Sequence, residues 1–477
     1  MASLWRIGVQ IVVNFRSGQD WIDAERQRVE ALGMPFVSIP GRARDVPDDK
    51  RVATFLAFVG AAPPPGRGDR QRHCPLLVLG TGDFPPPVGH NSGVSSVARD
   101  ATQSGWRGSV MLRLRLALLL FLSPFAFSSL SAQTPANSGI WVSQTELLAL
   151  PASGTAWNNV QSAANQSCGS PDLSNQDQSN NVCILAKALV FARTGQSSYR
   201  NDVISSLSAI VNSGTYNGRA LALGRELAAY VIAADLIDLK SFDVALNTSF
   251  RSKIRTLLTT STSGGPGSLI ECHEDRPNNW GTHCGASRAA VAAYLGDTSE
   301  LARVAQVFKG WLGDRSSYSG FSYGDLAWQC NSSAPVGINP AGCIRDGHSI
   351  DGVLPDDQRR GGGFTWPPPK ENYVWEGLQG AVVQAVLLKR AGYDVFNWEN
   401  QALRRAVQWL HSQANFPASS EDTWNPHLIN YYYGTQFPAP VPTSPGKNMG
   451  WTDWTHSGTA PSSDRPSPPS GLQVTVN

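Results

Sequence analysis

Charge is what this sequence has least of. Asp, Glu, Lys and Arg make up 16% of its 477 residues, and 39 basic side chains against 37 acidic ones leave a formal net charge of +2. Nucleic-acid binding needs a basic stripe, and so balanced a chain offers none. Nucleic acid is excluded as a partner. Zinc-site spacing is also absent: the paired cysteines include no Cys-x-x-Cys, and no cluster has the look of a zinc site. No metal or other cofactor is implied. A bilayer-spanning helix takes about 20 apolar residues, and no stretch reaches that length, so no stable membrane span is expected. Disorder is excluded in its turn by 41% hydrophobic residues and 15 tryptophans.

What is present begins with a segment in an unusual place. Met111 to Gln133 reads MLRLRLALLLFLSPFAFSSLSAQ. Arg113 and Arg115 supply a positive start, Leu116 to Phe127 an apolar stretch, and Ser131-Ala132 a small-residue cleavage site, the three parts of a signal peptide. Residues 111–132 are therefore expected to be removed, with Met111 as the true start and a secreted or periplasmic product. Only Cys74 precedes this segment. The other six cysteines fall into three local pairs, Cys168 with Cys183, Cys272 with Cys284 and Cys330 with Cys343. An even set after an export signal suggests disulfides, and local pairing is the expectation.

Residues 1–110 are rich in Arg and Pro, with Pro63 to Pro65 and Pro85 to Pro87 interrupting any long element. The stretch from Val13 to Gly60, VNFRSGQDWIDAERQRVEALGMPFVSIPGRARDVPDDKRVATFLAFVG, resembles the start of a dual-specificity-type protein phosphatase. Such enzymes use a His-Cys-x5-Arg loop, whereas His73-Cys74 here is followed by PLLVLGTG and by no arginine before Arg99. The phosphate cradle is missing. These residues read as a remnant or out-of-frame extension without phosphatase activity.

From Thr145 onward apolar residues recur at helical spacing, most clearly over Val182 to Arg193, Arg219 to Leu239, Ser287 to Leu295, Leu301 to Leu312, Trp375 to Ala391 and Gln401 to Ala414. Clusters of Gly, Ser, Pro and Asn separate them. Small and apolar residues on all sides suit helices covered on both faces. An all-α domain over 133–455 follows, with an α/α toroid, an incomplete double ring of helices, as its natural architecture. Residues 456–477 read as a Pro/Ser-rich linker followed, at Leu472 to Val476, by the start of an incomplete β module. A monomer is expected.

Two segments carry chemistry. Arg276-Pro-Asn-Asn-Trp-Gly-Thr-His283 precedes one predicted helix, and Asp351-Gly-Val-Leu-Pro355, Arg359-Arg360-Gly-Gly-Gly363 and Tyr373 precede another. Loop-to-helix junctions present functional groups from a rigid scaffold. Amide, imidazole, guanidinium and phenol without paired carboxylates suit β-elimination from a uronic acid polymer. A donor neutralises the C5 carboxylate and the enolate-like charge that develops. A base takes the C5 proton and an acid protonates the leaving oxygen. Arginine beside Tyr373 would favour a phenolate base.

The pattern Asp-Gly-x-Leu-Pro-x4-Arg-Gly at Asp351 to Gly361, with Asn-Asn-aromatic at a helix start, resembles the alginate lyase superfamily of α/α-toroid polysaccharide lyases over about Ile140 to Trp454. The resemblance implies that Asn279, or Asn278 in its place, neutralises the carboxylate and that His283 is base or charge stabiliser. It implies that Arg360 holds substrate or tunes Tyr373, and that Tyr373 is proton donor and also base. Asn278, Trp280, Arg359, Trp366 and Trp375 are the expected substrate-binding side chains. In alginate lyases of the best-known type His directly follows the Asn pair, whereas Trp280 does here, and the interval from Arg360 to Tyr373 is longer. The expected activity is thus a secreted lyase cleaving alginate, glucuronan or another acidic polysaccharide to unsaturated ends. Two alternatives stay open: an α/α-toroid glycoside hydrolase using Asp351 with Glu376 or Asp325, and a non-catalytic polysaccharide-binding protein of the envelope.

Overall fold

The computed structural model describes residues 139–442, 446–461 and 465–466, together with three short strands near the start of the chain. Two compact units divide the chain at residues 1–125 and 126–477. In the first, β1 (Ile11–Asn14) pairs in parallel with β2 (Phe36–Ser38) and β3 (Leu76–Leu79), placing Val13 opposite Val37 and Val78. The signal peptide expected at 111–132, His73-Cys74 and the strand-like end at Leu472 to Val476 lie outside the described residues. Among the described residues no helix is long and apolar enough to cross a membrane.

The second unit is all-α apart from a small antiparallel ribbon, β4 (Ile344–Arg345) with β5 (His348–Ser349). Its first helices are α1 (Gln144–Ala149), α2 (Thr155–Ala164), α3 (Asn180–Thr194), α4 (Ser197–Asn212) and α5 (Ala220–Leu236). Next come α6 (Leu239–Phe242), α7 (Val244–Thr259), α8 (Leu269–Asp275), α9 (Asn279–Leu295) and α10 (Thr298–Leu312). After a long non-helical stretch follow α11 (Pro355–Gln358), α12 (Tyr373–Arg390), α13 (Trp398–Ser412), α14 (Asn425–Tyr433) and α15 (Thr452–Thr455).

Sequence sorts these helices into two kinds. In α5 every residue from Ala220 to Leu236 is buried, and α9 and α12 are buried nearly all round. Helices α10 and α13 bury one stripe only, Leu301, Val304, Ala305 and Phe308 in the first and Leu403, Ala406, Val407 and Leu410 in the second. That spacing is the mark of an outward-facing helix. Neighbour relations follow: α5 lies between α3 and α9, α9 between α5 and α12, and α12 between α9 and α14. One-sided helices cover this row, α4 against α3 and α7, and α10 against α9 and α13.

Glycine sets how closely the row packs. A Cβ added to Gly224 of α5 would stand 2.8 Å from the Cys284 nitrogen, and one added to Gly380 of α12 would stand 2.3 Å from the Thr282 carbonyl carbon. Both glycines press on the same turn of α9, Thr282 to Cys284. On its other side α9 is tied by Arg288, 3% exposed at its side chain, which bonds Glu274 of α8 at 2.8 Å and Glu300 of α10 at 2.5 Å.

Two of the three expected disulfides are present, Cys168–Cys183 and Cys330–Cys343. The third is not: Cys272 and Cys284 are free and buried. Their sulfurs lie 3.4 Å from the carbonyl oxygens of Trp280 and Ala220 respectively. Both sit within packed helices, where each behaves as a small apolar side chain with a weak donor, and spacing alone does not reveal this.

Gly380→Ala is expected to destabilise the protein by about 1–3 kcal/mol, the usual penalty for overpacking a core. Gly214→Ala, where an added Cβ meets nothing within 4 Å, leaves the denaturant midpoint unchanged. Equal midpoints for the two variants would contradict the close approach. Alkylation of the unreduced, denatured chain followed by peptide mapping is expected to label Cys272 and Cys284 and to spare Cys168, Cys183, Cys330 and Cys343. Protection of Cys272 and Cys284 would mean that a third bridge forms.

Candidate functional site

The two chemistry-bearing segments meet. Asn278 caps α9, its side-chain oxygen accepting the Trp280 N–H at 3.1 Å while its Nδ2 donates to Asp356 of α11 at 3.0 Å. The Asn279 backbone N–H donates to Asp357 at 3.0 Å, and its side-chain Nδ2 donates to Glu376 on the first turn of α12 at 3.2 Å. Glu376 in turn pairs with Arg225 of α5. Three helices that share the glycine-lined contact thus deliver three polar side chains to one point.

Above this junction lie the more accessible groups. Tyr373, the first residue of α12, is 37% exposed, and the Arg360 guanidinium lies over its ring at 4.1 Å from the centroid. Arg359 is engaged differently, its Nε donating to Asp356 at 2.7 Å. Asp356 also accepts the Gly324 N–H at 2.9 Å, so the two adjacent arginines part company, one holding the loop and one facing the phenol.

Below it the surroundings are dry. His283 is completely buried and neither ring nitrogen has a partner among the described residues. Burial, with the charges of Arg225 and Lys447 adding to it, holds its pKa well below the ordinary imidazole value, so the ring is neutral. Asp357 is pushed well above the carboxylate range by the same desolvation. Burial raises Glu226 to about 9 and Asp422 to about 8. Both are neutral acids near pH 7, Glu226 accepting from Gln178 at 3.2 Å and Asp422 from Gln379 at 2.6 Å.

Unpartnered polar atoms concentrate here. Asn279 Oδ1, Asp357 Oδ2, Glu226 Oε1 and Gln379 Oε1 are buried without a hydrogen bond among the described residues, as are both amide atoms of Asn425 and of Asn448. Leaving such groups unpaired is expensive, so each calls for a partner such as water, an ion or a ligand. Among the described residues no group of three or more His, Cys, Asp and Glu side chains converges to hold a metal ion. A polar cavity of about 320 Å³ lies elsewhere, lined by His427, Asn430, Gln436 and His456 among others, and contains none of the residues singled out in the sequence.

Some expected contacts are reassigned. Trp375, expected to stack on sugar, is fully buried and donates its indole N–H to the Phe416 carbonyl at 3.1 Å, which makes it a core residue. Trp280 is half-buried and lies over Gly265. Trp366, also half-buried, stacks on His348 at 4.3 Å between ring centroids. Asp351 is held by Arg405 at 2.5 Å and accepts the Gly342 N–H at 2.9 Å, a fixture of its loop. Sequence reading passed over Arg225, Glu226, Gln379 and Asp422. A signal for the first two was present, an adjacent Arg-Glu in the middle of the largely apolar run ALALGRELAAYVIAADL.

Because the folded chain keeps Glu226 protonated, its contribution is full below the ordinary value of 4.5 and is lost as pH rises toward about 9. Glu226→Gln removes that titration. Its unfolding midpoint is therefore expected to gain on the wild type progressively from pH 5 to pH 9, and parallel profiles would contradict a buried neutral acid. No protein-family model matches this chain, and comparison with curated proteins finds no match.

Proposed function

We propose that the second unit is a polysaccharide lyase that cleaves an acidic polyuronate by β-elimination, leaving a C4–C5 unsaturated uronate end. The observation that carries this reading is the junction of the two segments, in which Asn279 bonds Glu376 while Arg360 lies on the face of Tyr373. In this reading the substrate carboxylate is met by amide and guanidinium donors, which stabilise the charge that develops when C5 loses its proton. Tyr373, exposed at the head of α12, takes that proton and returns one to the O4 oxygen as the C4–O bond breaks. His283, neutral and buried, supports the donors from beneath. The row α3, α5, α9, α12, α14 with its covering helices is the inner layer of an α/α toroid in this proposal. Export is supported by the two disulfides, which persist in oxidising compartments.

One observation favours a second reading, a glycoside hydrolase. Glu226 and Asp422 are protonated acids in the neighbourhood of Glu376, and hydrolysis uses an acid and a second carboxyl group together.

Ultraviolet absorbance during incubation with polymannuronate, polyguluronate, glucuronan and a hyaluronan control separates the two. A rise on an acidic polymer is expected, with Tyr373→Phe slowing it by roughly 10²–10⁴-fold, the usual worth of a general acid–base group. New reducing ends without absorbance would replace elimination by hydrolysis. Binding without either product would leave a polysaccharide-binding protein.

A further inference from the structure

The strap from Gly446 to Trp451 belongs to neither of the two chemistry-bearing segments, and it is fastened at one end to the start of α14 and at the other to α3. A Cβ at Gly446 would stand 2.0 Å from the Trp424 Nε1, so the backbone lies directly on that buried indole. At the far end the Trp451 indole donates to the Val182 carbonyl at 3.1 Å, and the Thr452 hydroxyl donates to the Trp424 carbonyl at 2.6 Å. In the middle one amide joins strap to site: Asn181 Nδ2 donates to the carbonyls of Arg225 at 3.0 Å and of Lys447 at 2.8 Å.

This attachment puts Lys447 beside the Arg225 neighbourhood. Its side chain is only 16% exposed, and among the described residues its carboxylate partner is Glu421, at 3.4 Å, which leaves ammonium donors to spare. Its charge reaches both Glu226 and His283. Asn448, next to it on the strap, and Asn425, next to Trp424, are fully buried, and neither side-chain amide has a partner among the described residues. A cation with donors to spare, next to amides that can both donate and accept, is the chemistry that recognises a sugar bearing a carboxylate and hydroxyls.

We propose that the strap forms a second substrate-binding wall, with Lys447 taking the carboxylate of a uronic acid residue and Asn448 and Asn425 its hydroxyls. This deepens the lyase reading and rests on its acidic polysaccharide ligand, but it assigns binding, not chemistry.

The test uses the full chain and two readouts. Amine acetylation of the wild type, followed by mass spectrometry, is run with polymannuronate or glucuronan and with the same polymer carboxyl-reduced to a neutral glycan. The acidic polymer is expected to protect Lys447 and to leave Lys253 on α7 labelled as before, and the neutral polymer is expected to protect neither. By calorimetry with uronate oligosaccharides, Lys447→Gln is expected to weaken binding about tenfold, the scale of one hydrogen bond to a charged group, and Lys447→Arg to restore most of it. The labelling arm needs no variant to fold. If acidic polymer binds and Lys447 stays equally reactive, or if a folded Lys447→Gln binds as the wild type does, the wall is wrong, even with lyase activity intact. Binding to none of the acidic polymers also overturns it. Protection of Lys447 with no unsaturated product would instead overturn the lyase chemistry and leave the wall standing.

Discussion

Everything at the candidate site depends on how closely α9 approaches the helices on either side. Gly224 and Gly380 let the backbone of Thr282 to Cys284 sit against both α5 and α12, at separations where any side chain would collide. Only at that distance can Asn279 reach Glu376 and Glu376 reach Arg225. The amide, the carboxyl group and the guanidinium belong to three different helices, and no loop conformation mediates between them. Precision at the floor is therefore a property of core packing, which tolerates little change of volume.

The same dry packing sets the electrostatics. Desolvation, more than any ion pair, keeps Glu226 and Asp422 protonated and His283 uncharged. A floor of neutral acids and a neutral imidazole does not repel an anionic ligand, and with Arg225 paired to Glu376 it is Arg360 and Lys447 that can attract one. Segregation is clear in the adjacent arginines: Arg359 is committed to Asp356 and steadies the loop, which leaves Arg360 free to lie on Tyr373.

Much of this was legible in the sequence where residue type and period agreed. The helices rich in Ala, Leu and Val announced themselves, and the two polar segments stood out because amides, imidazole and paired arginines gathered at helix starts. Legibility failed where one requirement masked another. The pattern places the start of the third clear helix at Ser287, yet α9 begins at Asn279, since Gly281, Gly285 and His283 dilute the apolar signal in the very turns that pack most tightly. Helices α4 and α7 went unread because Ser, Thr and Asn fill their outward faces. Trp375 misled in the opposite direction: its place two residues after Tyr373 suggests a sugar platform, but at about 100° per residue the helix turns it about 200° from Tyr373 and into the core. Distant partners such as Lys447 have no local signature at all.

The two disulfides have a consequence for how the chain is held together. Each joins cysteines that are consecutive among the six, with sequence separations of 15 and 13. Among the cysteines of the second unit, Cys168 therefore has its native partner Cys183 as its nearest neighbour in sequence. Cys272 and Cys284, next in the chain, lie buried and unbridged on α8 and α9. Neither bridge spans another cysteine, and neither ties together distant parts of the chain.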